Sequence, residues 1–313
     1  MSHFIFGSWR TPLAALGLLI AVATASAQKG TAGQTQKRFA TAEEAVQTVI
    51  KAAKANNKTD LLAIFGVDAE DLFSSGDKIA DRRARQLILV ALNEKWSLAK
   101  QGPNTRTLVI GNEEWPYPIP LVKDKAGWRF DTAAGREEIL YRRIGRNELS
   151  TIKACRVYLK AQREYAAQSH DGKPAGLFAQ RLGSQPGKQD GLFWKVNPGE
   201  GFSPLGEFAA QASAEGYARS NSGPTPFHGY LFRPLTAQGP AAPGGAKSYI
   251  SNGEMKSGFA LIAYPAEYRN SGVMTFIVNQ DGVIYEKDLG EQTAKVAAQI
   301  SEYNPDKSWR KVQ

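Results

Sequence analysis

The stretch Gly258–Asp288, GFALIAYPAEYRNSGVMTFIVNQDGVIYEKD, decides the fold of the C-terminal half of this chain. Phe259–Tyr264 is an apolar run, and Thr275–Val278 is β-branched and aromatic, so both favour β-strands. A further apolar run follows the dipeptide Asp281-Gly282, which favours a tight hairpin because glycine tolerates positive φ. We therefore expect three consecutive antiparallel strands here, the last two paired as a hairpin.

The elements around this stretch place a long helix before the sheet. Residues 144–168 form the longest predicted helix. The other elements predicted in this half are a short helix near residues 204–215, a strand at 227–232, a hairpin turning at Asn252-Gly253 and a terminal helix at 292–302. This order predicts a helix packed on an antiparallel sheet.

The N-terminal half changes from helices to strands. Thr41 followed by Glu44 is a capping box that begins a helix ending near residue 55. A second helix is expected from about Thr59 or Asp60, and a third over residues 79–100. Strands are predicted at residues 106–110, 119–122 and 128–131. Helices followed by a curved sheet predict the α+β class for this half, and with the C-terminal half they predict two α+β domains.

Composition is that of a globular protein with a modest excess of basic residues. The chain has 313 residues, 42% hydrophobic and 22% charged, which is enough for two domains of ordinary size. Its net charge of +9 suits an anionic partner, but the basic residues do not form one block, and we expect no nucleic-acid partner. The single cysteine, Cys155, excludes an internal disulfide bond.

The N-terminus has the pattern of a Sec-type signal peptide, residues 1–27. Arg10 precedes the apolar run of residues 12–22, and Ala25-Ser26-Ala27 has the small-x-small pattern of a cleavage site. Cleavage near Ala27 predicts a periplasmic or secreted protein, with net charge +8, because the segment holds one Arg and no acid. An uncleaved anchor is the alternative, but the run is shorter than the ~20 residues that span a bilayer. We expect no stable membrane span after cleavage, and a flexible linker over 28–38.

The long predicted helix carries a basic stripe. At 100° per residue, five cations fall within about a third of its circumference: Arg146, Lys153, Arg156, Lys160 and Arg163. One interpretation is a docking strip for an envelope protein with an acidic face or for an anionic polymer of the cell envelope. The alternative is a solvated face whose long side chains cover apolar surface.

Aromatic residues of the N-terminal half are candidates for a pocket. Trp96, Trp115, Tyr117 and Trp128 could line it, and Glu114 or Asp131 could supply a polar group or a general base. The alternative is that these aromatic residues fill the core. A small-molecule-binding or hydrolytic site is therefore one hypothesis for this half, and binding without turnover is another.

Catalytic and metal-binding motifs are weak. Ser271, His228 and Asp281 could form a triad on paper, but the sequence has no Gly-x-Ser-x-Gly turn. Cys155 lies on the apolar side of its helix and is expected to be a core residue. The sequence also has no phosphate-cradling glycine loop and no paired-cysteine metal site. We therefore assign no catalytic residue, metal or cofactor, and the leading hypothesis is a non-enzymatic binding module of the cell envelope.

Two partial resemblances suggest the architecture of each half. The order of elements and the phrase WPYPIPLVKDKAGWRFDTAAG resemble cone-shaped folds of the nuclear-transport-factor-2-like kind. The phrases AQREYAA and GYLFRPL and the terminal sheet resemble the globular heads of type IV pilin-like and pseudopilin proteins over residues 144–290. These resemblances imply a cone-like domain at 39–140 and a pilin-like domain with a C-terminal helix at 141–313. The head lacks the uncut hydrophobic first helix with which pilins polymerise.

The chain from Phe39 to Trp309 resembles an exported bacterial family catalogued as domain of unknown function 2950. The resemblance rests on FATAEEAV, EDLFSSGD, PIPLVKDKAGWRFDTAAGREEIL, IGRNEL, AQREYAA, LTAQGPAAPGGA and SGVMTFIVNQDGVIYEKDLG. It implies a Gram-negative envelope protein. In that family the loop after AQREYAA tends to be Asp-rich, as a calcium loop would be. Here residues 168–173 have one carboxylate, too few oxygen ligands for calcium.

Overall fold

The computed structural model describes residues 36–197, 199, 201–218 and 224–312. These residues belong to one compact unit, and its fold is α+β, as predicted. The predicted signal peptide and residues 28–35 of the predicted linker lie outside the described residues. No helix within the described ranges is long and apolar enough to cross a membrane.

The N-terminal half begins with four helices. They are α1 (Ala42–Lys54), α2 (Lys58–Phe65), α3 (Glu70–Phe73) and α4 (Lys78–Glu94), with a short 3₁₀ turn before α3. The predicted capping box is confirmed: the Thr41 side chain accepts from the N–H of Glu44 at 3.0 Å, and the Glu44 carboxylate accepts from the N–H of Ala40 at 2.9 Å. The first helix is thus fixed by its cap as well as by its buried face.

A five-stranded antiparallel sheet follows. Its strands are β1 (Trp96–Gly102), β2 (Thr105–Ile110), β3 (Trp115–Pro116), β4 (Leu121–Asp124) and β5 (Gly127–Phe130), in the order β1-β2-β4-β5 with β3 paired to β2. The prediction of a helix over residues 79–100 was wrong at its end. Trp96 is the first residue of β1 and pairs with Ile110, because the chain after α4 gains a full ladder against β2.

One helix, α5 (Thr132–Ala166), connects the two halves. It has 35 residues and begins twelve residues before the predicted start at residue 144. It crosses the predicted boundary between residues 140 and 141 without a break, and the division into two domains stays a prediction. Two separate clusters of buried apolar side chains flank it, one in each half. Gly135 lets the helix lie close to the segment between β3 and β4, since a Cβ there would be 2.7 Å from Ile119.

The C-terminal half is built on a second five-stranded antiparallel sheet. Its strands are β8 (Tyr230–Leu235), β13 (Ala260–Pro265), β14 (Met274–Asn279), β15 (Ile284–Asp288) and β16 (Arg310–Lys311), in the order β16-β15-β14-β13-β8. The three consecutive antiparallel strands predicted from residues 258–288 are confirmed. The Asp281-Gly282 hairpin pairs Val278 with Ile284.

Shorter elements surround this sheet. They are β6 (Arg181–Gly183), β7 (Gly191–Phe193), α6 (Gly206–Ala214), β9 (Ala237–Gln238), β10 (Lys247–Ser248), β11 (Ile250–Ser251), β12 (Glu254–Met255) and α7 (Thr293–Gln299). Strands β6 and β7 are parallel, and β11 and β12 form the predicted hairpin at Asn252-Gly253. The second half of α5 packs on the sheet, where the Tyr158 hydroxyl donates to the Ala260 carbonyl at 3.1 Å.

Candidate functional site

A cavity of about 630 Å³ lies in the N-terminal half, between α4 and the remaining helices and sheet. Its walls are largely apolar and come from α1, α2, α4 and the sheet: Val49, Leu61, Phe65, Ile88, Leu108 and Phe130. The volume falls within the roughly 300–1,000 Å³ of small-molecule sites, which are mostly apolar with a few polar groups. The cavity is therefore the candidate binding site.

The sequence of α4 explains why this space stays unfilled. Ala80, Ala84, Ile88 and Leu92 follow at intervals of four residues and face the cavity together. The first two are alanines, whose side chains are too short to reach the opposite wall. Leu92, at the other end of the helix, is the one residue of α4 that is buried. The helix thus packs at its C-terminal end and leaves a space beneath its N-terminal end.

Basic side chains surround the cavity. Six of its lining residues are cationic: Lys58, Lys78, Arg82, Arg85, Arg143 and Arg146. Its one acidic lining residue within the described chain is Asp81. Lys58 is paired with Glu70 at 2.5 Å. Among the described residues, five of the six cations form no ion pair. Arg143 is one of them and donates to backbone carbonyls instead, and the others are Lys78, Arg82, Arg85 and Arg146. The site therefore favours a ligand with negative charge.

Arg143 and Asp81 fix the backbone beside the cavity through hydrogen bonds. Arg143 is 9% exposed and donates to the carbonyls of Asp71 and Leu72, at 2.9 and 2.6 Å, where α3 ends. A cation at this end complements the helix dipole. Asp81 accepts from the N–H of Ser75 at 3.0 Å and from its hydroxyl at 2.6 Å. Burial raises the pKa of Asp81 and lowers that of Arg143, since desolvation disfavours both charged forms.

Asp77, beside the cavity, joins α4 to the C-terminal half. One of its carboxylate oxygens caps α4 by accepting from the N–H groups of Ile79 and Ala80, at 3.1 and 3.0 Å. The other accepts from the Tyr217 hydroxyl at 2.8 Å and from the Gly229 N–H at 2.9 Å. Asp77 is only 2% exposed, so this carboxylate is a buried link with four donors. The start of α4 is thereby tied to residues more than 100 positions away.

Two further contacts strengthen this junction. The Asn270 side chain donates to the Ser74 carbonyl at 2.9 Å, and the Asn147 side chain on α5 donates to the Ser271 carbonyl at 2.9 Å. Ser74 and Asn147 also line the cavity. One end of the cavity therefore lies directly against the contact between the halves.

A family model matches nearly all of the described residues. The model of the family described as protein of unknown function (DUF2950) matches residues 36–312. The chain belongs to the DUF2950 family. Searches of curated proteins and of solved structures each found no significant match, and the resemblances to pilin-like heads and to nuclear-transport-factor-2-like cones are not confirmed. The DUF2950 match covers both halves, the cavity and the junction.

The six residues predicted to form a pocket in the DUF2950 chain do not come together. Of these described residues, Tyr117 lines the cavity and the other five do not. Trp128 is buried in the core at 7% exposure, and Trp96 is half-buried in β1. Trp115 lies at the surface, 37% exposed, with its ring 6.2 Å from that of Tyr117.

The two predicted general bases are held in ion pairs. Glu114 is exposed and pairs with Lys95 at 2.8 Å, which lowers the pKa of its carboxyl group. Asp131 pairs with Arg129 at 3.1 Å. Both carboxylates are therefore already paired, and neither residue lines the cavity.

The residues of the hypothetical triad have separate partners in the DUF2950 fold. His228 lies 3.0 Å from a carboxylate oxygen of Glu215. The Ser271 hydroxyl donates to the Glu267 carbonyl at 3.1 Å and is fully buried. Asp281 bonds with Asn279 in the hairpin turn.

Cys155 is a core residue, as expected. Burial raises the pKa of its thiol to about 12, so this residue is protonated at neutral pH.

The predicted basic stripe is exposed along α5. All five of its cations are exposed: Arg146, Lys153, Arg156, Lys160 and Arg163. Lys160 lies 3.4 Å from Glu164, and Arg163 donates to the Gln280 carbonyl at 3.3 Å. Arg146 also lines the cavity, so the stripe begins where the cavity ends.

The cations of α4 were missed at the sequence level. Lys78, Arg82 and Arg85 recur at intervals of three and four residues beside the small apolar stripe of the same helix. That pattern is the signal that could have identified them as a basic edge of an apolar site. In the described part of the DUF2950 chain, no group of three or more His, Cys, Asp or Glu side chains is placed to hold a metal ion.

Proposed function

We propose that this DUF2950 protein binds an anionic ligand with an apolar body, such as a long-chain carboxylate, in the cavity beneath α4. The observation that carries the proposal is the combination of apolar walls with six cationic lining residues and one acidic one. An apolar ligand body gains roughly 25 cal/mol for each Å² that it removes from water. Its anionic group would lie against the cations that have no ion pair within the protein.

The proposal is for binding without turnover. Asp81 is the acidic group at the cavity, and its oxygens already accept both the N–H and the hydroxyl of Ser75. The carboxylates proposed as general bases from sequence, Glu114 and Asp131, pair with Lys95 and Arg129 instead. Within the described residues, the cavity lining therefore holds no arrangement that supports hydrolysis.

The predicted signal segment supports a site of action outside the cytoplasm. We place the protein in the periplasm or among secreted proteins on the pattern of residues 1–27. Fractionation of cells that express the full chain tests this point. Recovery of a protein beginning near Gln28 in the periplasmic fraction is expected, and recovery of the full-length chain in the cytoplasm would contradict it.

The ligand is tested with a fluorescent long-chain fatty acid, displaced by oleate, using the chain from Gln28. Ligand at 100 times its Kd is expected to stabilise the folded protein by about 2.7 kcal/mol, which raises Tm by several degrees. Oleyl alcohol has the same apolar body without the charge and should bind more weakly, because a charged hydrogen bond contributes about 1.5–3 kcal/mol. Equal affinity for the two would refute the role of the cations.

Variants locate the ligand. Ala84→Phe fills the cavity from α4 and should abolish binding of the fluorescent fatty acid. Arg146→Gln should weaken binding of oleate but not of oleyl alcohol. Asp81→Asn should strengthen oleate binding, because it removes the negative charge at the site. Lys247→Gln, on the exposed strand β10, is the control for loss of one charge. Unchanged affinity in Ala84→Phe would place the ligand elsewhere.

A further inference from the structure

The basic stripe of α5 is part of a longer exposed face that includes one apolar residue. Six residues follow at spacings of three and four and are all exposed: Arg146, Leu149, Lys153, Arg156, Lys160 and Arg163. This spacing keeps them on one side of the helix. Leu149 is 63% exposed, between cations on either side. We call these six residues the basic face of α5.

The charge of this face is largely uncompensated. Among the described residues, Lys153 and Arg156 take part in no ion pair, and Lys160 has a single contact, with Glu164 at 3.4 Å. The opposite side of the helix is buried on the C-terminal core, through residues such as Cys155 and Tyr158. The helix is therefore held rigidly and presents its cations outward.

The basic face is continuous with the cavity. Arg146 belongs to both, and the neighbouring α4 adds the exposed cations Lys78 and Arg82 at the same cavity. A surface that meets the basic face would lie beside these exposed residues of the cavity lining. An amphiphile that moves from that surface to the cavity would pass these cations.

We propose that the basic face of α5 docks the protein on an anionic phospholipid surface, and that the cavity exchanges its ligand with that surface. This inference rests on the proposed ligand, because the membrane is where anionic amphiphiles reside. Charge complementarity favours the anionic surface, and each Lys or Arg near it strengthens attachment about fivefold. The exposed Leu149 favours lipid over a purely acidic polymer, since a leucine side chain gains from entering the apolar boundary of a bilayer.

The test is sedimentation of the chain from Gln28 with vesicles of phosphatidylglycerol and phosphatidylethanolamine, without added ligand. Binding is expected to these vesicles and not to phosphatidylcholine vesicles, and to decline in high salt. The double variant Lys153→Gln/Arg156→Gln should weaken partitioning about 25-fold, at about fivefold for each cation. The matched control is Lys247→Gln/Lys256→Gln, which removes the same charge from two exposed residues outside α5.

Each outcome decides the proposal. Equal loss in the two double variants, or no binding to anionic vesicles, would overturn it in favour of a solvated face. Leu149→Ser should weaken vesicle binding several-fold. If polyglutamate binds as tightly as the anionic vesicles, the partner is an acidic polymer and the proposal of a lipid surface is overturned. Ala84→Phe should leave vesicle binding unchanged, so failure of docking and failure of cavity binding are separated.

Discussion

Replacing Asp77 tests whether the junction beside the cavity stabilises the whole fold. Asp77→Ala removes the cap of α4, which costs about 1 kcal/mol. It also leaves the Tyr217 hydroxyl and the Gly229 N–H without their acceptor, which costs about 1–3 kcal/mol for each buried donor. We therefore expect the free energy of unfolding to fall by about 3–7 kcal/mol, measured by urea denaturation followed by tryptophan fluorescence and circular dichroism.

Asp77→Asn separates the two contributions. Asparagine caps helices as well as aspartate, so its side-chain oxygen can keep the bonds to Ile79 and Ala80. The NH2 group that replaces the second carboxylate oxygen cannot accept from Tyr217 or Gly229. Its loss should be about 1 kcal/mol smaller than that of the alanine variant. Asp68→Ala, at an exposed carboxylate, is the control and should change stability by less than about 0.5 kcal/mol. A wild-type stability for Asp77→Asn would refute the role assigned to the bonds between the halves.

Three further changes have defined outcomes. Gly135→Ala should destabilise the protein by about 1–3 kcal/mol through overlap with Ile119, whereas Gly145→Ala in the same helix, where nothing lies within 4 Å, should stabilise it by about 0.5–1 kcal/mol. Equal effects in denaturation would contradict this. Burial lowers the pKa of His228, so the folded state binds fewer protons and stability should decline as pH falls below about 6.5. His228→Asn, which tolerates the positive φ, should reduce this slope, and an unchanged slope would exclude His228 as its source. Cys155 should react with a thiol reagent only as fast as the protein unfolds, and fast labelling of the native state would contradict its burial.

Local signals account for the parts of the fold that the sequence predicted well. The Asp281-Gly282 turn and the runs beside it encode their own register, so the three strands could be placed without knowledge of the rest. The end of α4 depends instead on pairing between Trp96 and Ile110, which competes with the helical periodicity of the preceding residues. The early start of α5 was missed because Gly135 lowers helix propensity, although the packed structure uses it for close approach to Ile119.

The candidate site was harder to predict because it depends on empty space between α4 and the elements that face it. Ala80 and Ala84 in an amphipathic helix are typical of a packed face, and only the three-dimensional arrangement shows space beneath them. The junction is similarly inaccessible to local patterns. Asp77 meets Tyr217 across 140 positions and Gly229 across 152, and no periodicity connects residues at such separations.

The unbroken course of α5 has a mechanical consequence. At 1.5 Å per residue its 35 residues form a rod about 52 Å long that is embedded in the core on both sides of residue 140. A hinge at that residue would require the helix to break its own hydrogen bonds. A rigid tilt of the helix by about 5° would therefore displace one of its ends by about 4–5 Å relative to the other, so the two halves cannot move independently at residue 140.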